Sequence, residues 1–209
     1  MPPSLPVRLR ARLSRASPPR EAFVARHVAG RSFADVGCMW EINGGIAFAA
    51  EAAGAGEVSG MDLMGETPEY QAEHRRRGSK VRFVQGDLHD EQALARLGVH
   101  DVVWCSGVLY HAPHPLQTLE RLRSVTGETL LLATETLPER LLARNLCVFA
   151  PKPGTHPTHT EPFDPARGYV NWYWGITPSA LRAMLGATGF RVVEEHRTPF
   201  HTTVMARKT

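Results

Sequence analysis

Glycine and aspartate residues stand where three short runs of strand character end. Asp35 and Gly37 close the first run, Asp62 closes the second, and Gly86 with Asp87 closes the third. Glycine lets backbone N–H groups approach a ligand closely, and carboxylates accept hydrogen bonds from hydroxyl and amino groups. A single strand–glycine–helix turn is also common as a purely structural connection. Three such turns in succession instead predict a nucleoside-binding crevice at the carboxyl edge of a parallel sheet.

The spacing of these residues suggests what each would bind. Asp62 lies seventeen residues after Gly45, the usual place for an acid that accepts hydrogen bonds from ribose hydroxyls. Asp87 is placed to accept a hydrogen bond from an adenine amino group, with Leu88 packing on the ring. The dinucleotide fingerprint GxGxxG and the P-loop are both absent from the sequence.

A fourth segment, residues 101–115, begins as a buried strand and ends in glycine, histidine and proline. We expect residues 105–114 to form the floor of the crevice. His111 is interpreted as a general base or as a hydrogen-bond partner of the substrate. Tyr110 would reach the cofactor or the substrate, or pack under a lid. His111 and His114 are three residues apart, as are His156 and His159, but both pairs lie in proline-rich loops without a neighbouring acid, so no metal site is predicted.

The densest aromatic group is Trp172, Tyr173 and Trp174, at the end of a segment without clear periodicity, residues 137–176. Such a group buries a large area. We interpret it as a wall of the substrate pocket, with plain core packing as the alternative, and the segment as an irregular insertion or lid.

The pattern of elements predicts an α/β fold with a doubly wound, mostly parallel, seven-stranded sheet. Its last two strands would form an antiparallel pair at the sheet edge, joined by a turn of about six residues. Residues 1–29 are interpreted as a helical lead-in and residues 30–209 as the main domain. The predicted strands are 32–37, 57–62, 80–84, 101–105, 128–134, 190–195 and 202–206, and the main helices are 46–53, 66–78, 90–97, one from Pro115, and 178–188.

Composition limits the function classes. The 209 residues suffice for one domain, the net charge is only +3, and the cysteines Cys38, Cys105 and Cys147 are widely spaced, as in a reduced cytoplasmic protein. No apolar run is long enough to cross a bilayer, and no signal peptide is recognised. Arginines cluster in residues 1–26 and 75–77, which leaves nucleic acid open as a partner, although such runs are usually solvated faces.

Taken together, these motifs resemble the class I S-adenosylmethionine-dependent methyltransferases over about residues 30–206. The resemblance implies S-adenosylmethionine as cofactor and methyl transfer as the activity. Its motif I is Asp35-Val-Gly-Cys, motif II is Asp62, motif III is Gly86-Asp87, and residues 101–115 take the place of motif IV. The residues assigned to the cofactor are Asp35, Gly37, Cys38, Met39, Asp62, Leu63, Asp87, Leu88, Cys105, Ser106 and Gly107. Those assigned to the acceptor are Tyr110, His111, His114, Trp172, Tyr173 and Trp174.

Two further features refine this expectation. Gly107-Val-Leu-Tyr-His111 followed by Pro115-Leu116 is similar to the branch that contains the tRNA wobble-uridine carboxymethyltransferase and many small bacterial methyltransferases. Met39 stands where the family usually has the second glycine of motif I, which indicates a reshaped loop. We expect transfer to an oxygen or nitrogen of a small metabolite; the alternatives are a tRNA-modifying transferase and a binding module that holds the cofactor without catalysis.

Overall fold

Alternating strands and helices build one seven-stranded sheet in this computed structural model, which describes residues 19–139, 144–149 and 174–209. The helices are α1 (Arg20–Val28), α2 (Gly45–Ala52), α3 (Pro68–Arg77), α4 (Glu91–Leu97), α5 (Pro115–Val125) and α6 (Pro178–Ala187). The strands of the sheet are β1 (Ser32–Val36), β2 (Glu57–Asp62), β3 (Arg82–Gln85), β4 (His100–Ser106), β5 (Thr126–Glu135), β8 (Phe190–Thr198) and β9 (His201–Lys208). The remaining strands, β6 (Cys147–Phe149) and β7 (Trp174–Ile176), pair with each other in a separate two-stranded sheet.

Local sequence explains where several helices begin. The Thr67 and Thr177 hydroxyls accept hydrogen bonds from backbone N–H groups in the first turns of α3 and α6, and each is followed by a proline. Asp90 caps α4 in the same way. These capping residues satisfy N–H groups that have no partner inside the helix, so they fix the helix start.

The strand order is β3-β2-β1-β4-β5-β9-β8, with β1 to β5 parallel and β9 antiparallel to both of its neighbours. This topology confirms the predicted doubly wound sheet and its antiparallel C-terminal pair. As a consequence, the carboxyl ends of the parallel strands lie at the same edge of the sheet as the first residue of β9.

Helices cover both faces of the sheet. On one face, α1 packs through Phe23, Val24 and Val28, which are fully buried, and the ring of Phe23 lies 6.4 Å from that of Trp104 on β4. Residues 20–28 therefore contribute to the same core as the sheet. Whether residues 1–29 as a whole form a separate lead-in stays a prediction.

Two sequence expectations need correction. The turn between β8 and β9 holds only Pro199 and Phe200, not about six residues, because antiparallel pairing continues through polar positions as far as Thr198 and His201. Within residues 137–176, the part the structure describes is also partly regular, since it contributes β6 and β7. Trp172 and Tyr173 lie outside the described residues. No helix in the described part of the chain has the length and apolar character to span a membrane.

Candidate functional site

A cavity of about 390 Å³ opens at the carboxyl edge of the sheet. Loops that follow β1, β2, β3 and β4 supply its walls, together with the end of β5 and the start of β9. Predicted site residues that line it are Gly37, Asp62, Leu63, Asp87, Leu88, Ser106, Gly107, Tyr110 and His111. This is the arrangement expected of an open α/β sheet, in which ligands bind beyond the carboxyl ends of the strands.

The turn after β1 is held close to its neighbours by Gly37. Its backbone has φ +83°, its N–H donates to the carbonyl of Met61 at 2.9 Å, and a Cβ here would lie 2.7 Å from Val108 Cγ2. Only glycine adopts this conformation without strain and fits the space. The main chain is therefore exposed to the cavity at this turn.

The rest of this loop differs from the expected contacts. Cys38 and Met39 do not line the cavity; both side chains are buried in the core beneath the loop. Trp40, half exposed, and Glu41 form the cavity wall in their place. Because Met39 points inward, its assigned cofactor contact is limited to its main chain.

Asp62 is fixed by two backbone hydrogen bonds. Its Oδ2 accepts from the N–H of Met39 at 2.7 Å, and its Oδ1 accepts from the N–H of Met64 at 2.9 Å. A carboxylate has about four acceptor positions, so two remain for a ligand. The side chain is thus oriented before any ligand binds.

The loop after β3 is ordered in a similar way. The N–H of Gly86 donates to the carbonyl of Asp62 at 2.9 Å, and Asp87 Oδ1 accepts from the N–H of His89 at 2.8 Å. Leu88 is largely buried beside them and still lines the cavity. His89 also lines it, and its ring nitrogen Nε2 lies 3.0 Å from Thr118 Oγ1.

Two assigned residues lie beneath the cavity rather than on its wall. Asp35 is 2% exposed, and its Oδ2 has no hydrogen-bond partner among the described residues. Burial raises the pKa of Asp35 to about 7, opposed by a hydrogen bond from the backbone of Ala47. Cys105 is fully buried, and burial raises its pKa, so this thiol is unreactive at neutral pH.

The loop after β4 brings the two predicted catalytic residues to the cavity. Tyr110 and His111 lie in a short 3-10 turn, Leu109–His111, with ring centroids 4.1 Å apart. His114, at the start of α5, is exposed and is not among the lining residues. Trp174 also lies off the wall and packs on Phe149 at 4.9 Å. The structure therefore does not bring His114 or Trp174 to the cavity.

Polar residues of the wall that were not among the predicted site residues are Arg20, Glu41, His89, Thr134, Glu135 and His201. Glu135 carried the same signal as Asp62, an acid directly after an apolar strand. His201 enters because β9 runs antiparallel and starts at this edge, and Arg20 enters because α1 packs on the sheet. Neither placement follows from local sequence.

Within the described ranges, no group of three or more histidine, cysteine or acidic side chains is placed to hold a metal ion.

Comparison with known proteins finds a related family for part of the chain. A family model described as a methyltransferase domain matches residues 34–128, which contain the loops after β1, β2, β3 and β4. The ubiquinone biosynthesis O-methyltransferase of Vibrio campbellii is 33% identical over 93 residues, which are 44% of this chain and 37% of that protein. The enzyme of the same name from Vibrio parahaemolyticus is 33% identical over 91 residues. The chain thus matches little more than a third of the length of these relatives.

Solved structures share the fold over most of the chain. Magnesium protoporphyrin IX methyltransferase from Synechocystis, with bound S-adenosylmethionine, aligns with a TM-score of 0.60 at 19% identity, covering 90% of this chain and 76% of that one. The 1,6-didemethyltoxoflavin-N1-methyltransferase of Burkholderia thailandensis aligns with a TM-score of 0.67 at 20% identity, covering 95% and 80%. The chain therefore has the class I methyltransferase fold, and the segment with the four predicted cofactor loops matches the methyltransferase domain family.

Proposed function

We propose that this protein is an S-adenosylmethionine-dependent methyltransferase that methylates an oxygen or nitrogen of a small molecule by direct displacement. The observation that carries the proposal is the convergence of Gly37, Asp62, Asp87 and Gly107, from four successive strand ends, on one cavity. The names of the relatives support it, since they describe methyltransferases of small molecules.

The residues of the cavity fit the cofactor. Asp62 has two free acceptor positions for the ribose hydroxyls, and Asp87 would accept from the adenine amino group between Leu63 and Leu88. The exposed main chain at Gly37 suits the methionine part. Ser106 and Gly107 would lie beneath the cofactor, while Asp35, Cys38, Met39 and Cys105 would support these contacts from the layer below.

The cofactor, when bound, supplies an electrophilic methyl group on a sulfonium centre. The tasks left to the protein are alignment, exclusion of water and, for a hydroxyl acceptor, removal of a proton. Tyr110 and His111 lie next to the cofactor loops on the cavity wall, so they would contact the acceptor. Cys105 takes no part as a nucleophile, because direct displacement needs none.

An RNA-modifying activity is the second candidate, favoured by the branch resemblance of Gly107–His111 and by basic residues of α3. Two of those basic side chains already have a partner, since the guanidinium groups of Arg76 and Arg77 both bind the carboxylate of Glu73. An RNA substrate would show affinity that falls steeply with salt, with a slope that reflects several phosphate contacts. A weak salt dependence favours the small-molecule proposal.

Calorimetry with S-adenosylmethionine and S-adenosylhomocysteine tests the cofactor assignment directly. We expect saturable binding of both, and absence of binding at millimolar concentrations would contradict the proposal. Transfer of a labelled methyl group to small phenols, amines and carboxylates then separates an enzyme from a module that only holds the cofactor.

A further inference from the structure

The cavity has two halves with different chemistry. Three of the four predicted cofactor loops follow β1, β2 and β3, on one side of β4 in the strand order, and the fourth follows β4 itself. The other half is formed by the end of β5 and the start of β9, and Arg20 from α1 lines the same cavity. If the proposed function holds, the acceptor must enter this second half, because the first is filled by the nucleoside.

His201 holds a defined place in this second half. It is the first residue of β9 and the register partner of Glu135, the last residue of β5, and both line the cavity. Directly opposed residues of an antiparallel pair carry their side chains on the same face of the sheet. The His201 imidazole is thus fixed by two flanking strands.

The imidazole is partly buried and makes no hydrogen bond to any residue in the described part of the chain. The charge of Arg20 on α1 acts on the imidazole, and Glu135 on β5 is its register partner. Tyr110 and His111 line the same cavity, and the partner on β8, Thr198, is uncharged. Burial lowers the pKa of His201, and the charge of Arg20 lowers it further. At neutral pH the ring is therefore neutral, with a free nitrogen to accept a proton.

We propose that His201 is the general base of this site and that the acceptor is a phenol or a similarly acidic hydroxyl on a flat, apolar body. His201 takes the proton as the O–H bond breaks, and the oxygen lone pair forms the new bond to the methyl carbon. The carbon–sulfur bond breaks with its electrons left on sulfur, and the imidazolium then releases its proton to water. His111, beside Tyr110 on the cavity wall, is left to hydrogen-bond the acceptor.

The chemical class of the acceptor follows from how acidic its hydroxyl must be for a neutral histidine to remove the proton. A general base works best when its pKa lies near the working pH. Such a base can remove the proton of a phenol, whose pKa is about 10. Ala133, on β5, borders this half, and Val108 and Ala112 of the loop after β4 line the same cavity; these apolar groups would contact the ring of the acceptor. Arg20 makes no ion pair within the described residues, so its charge is available to favour the anionic oxygen.

The test uses 4-nitrocatechol, whose absorbance reports its own ionisation, with the protein saturated by S-adenosylhomocysteine. We expect the bound probe to ionise at lower pH than the free probe. His201→Gln should reduce that shift by about one pH unit, a tenfold change in the ionisation equilibrium. His114→Gln is the matched control, an exposed histidine off the cavity wall, and should behave as the wild type.

A second variant tests the role without changing His201. Arg20→Gln removes the charge that lowers the pKa of His201, so the His201 titration measured by NMR should move to higher pH. Two outcomes would overturn this inference and leave the proposed function intact. One is a bound-probe spectrum in His201→Gln that equals the wild-type spectrum, and the other is no probe binding when S-adenosylhomocysteine is bound. Failure to bind S-adenosylhomocysteine would instead overturn the proposed function.

Discussion

The Oδ2 atom of Asp62 accepts a hydrogen bond from the backbone N–H of Met39 at 2.7 Å. The acid at the end of β2 therefore anchors the loop that follows β1. A methionine can therefore stand at the position where the methyltransferases that this loop resembles usually have glycine. Met39 contributes its main chain to the loop, and its side chain packs below.

Asp62→Asn should weaken S-adenosylhomocysteine binding by tenfold or more, about 1.4 kcal/mol or above. The asparagine has only one acceptor oxygen, so it cannot bind both Met39 and Met64 and still serve the ribose. Calorimetry measures the change. Asp101→Asn is the matched control, because Asp101 bonds Ser32 at the opposite edge of the sheet. Equal affinities in the two variants would remove Asp62 from the cofactor site.

Met39→Ala should lower the free energy of unfolding by about 2–5 kcal/mol, the usual range for truncation of a buried large side chain. Met39 is 0% exposed and belongs to the core cluster of Phe23, Phe48 and Tyr70. Urea denaturation provides the measurement. Met64→Ala, on the exposed rim of the cavity, should stay within about 1 kcal/mol of wild type. A small effect at Met39 would mean that the loop is held by its hydrogen bonds alone.

The sequence predicted the sheet because each strand and helix carries its own local signal. Short apolar or alternating segments mark β1 to β5, and Thr67, Thr177 and Asp90 mark helix starts. The length of the β8–β9 hairpin was not predictable in this way, because polar residues such as Glu194 and Arg197 pair across an edge where little burial is required.

The residues of the site fall into the same two groups, those predictable from local sequence and those placed by the packing of distant segments. Gly37, Asp62 and Asp87 follow directly from strand ends, so the part of the wall proposed to hold the nucleoside was predicted from local sequence. The part proposed to hold the acceptor depends on contacts between distant parts of the chain. Arg20 and His201 are 181 positions apart and line the same cavity only because α1 and β9 both reach this edge of the sheet.

Asp35 should make cofactor binding depend on pH near neutrality. Its pKa of about 7 is raised by burial, so half of the carboxyls are protonated there. The positive charge of the cofactor favours the ionised form, so S-adenosylmethionine should bind more tightly at pH 8 than at pH 6 and release protons on binding. Calorimetry in buffers of different ionisation enthalpy counts those protons.

The same shift has a consequence for stability with a defined sign. Between pH 3.8 and about 7 the folded protein retains a proton that the unfolded chain loses, so this group lowers stability as pH rises through that range. Asp35→Asn should remove both this loss and the pH dependence of cofactor binding. If the variant keeps the proton release of the wild type, another group is responsible.

A comparison of Gly37→Ala with Gly107→Ala distinguishes two reasons for requiring glycine, which are steric crowding of a Cβ atom and backbone strain. Both glycines have positive φ, +83° and +75°, so each substitution carries a similar conformational cost. Only at Gly37 would the new Cβ also collide, lying 2.7 Å from Val108 Cγ2 and 2.9 Å from the carbonyl oxygen of Ser106; nothing lies within 4 Å at Gly107. We expect Gly37→Ala to lower the melting temperature and S-adenosylhomocysteine affinity more than Gly107→Ala does. Equal losses would show that strain, and not the close approach of the β1 and β4 loops, requires glycine at position 37.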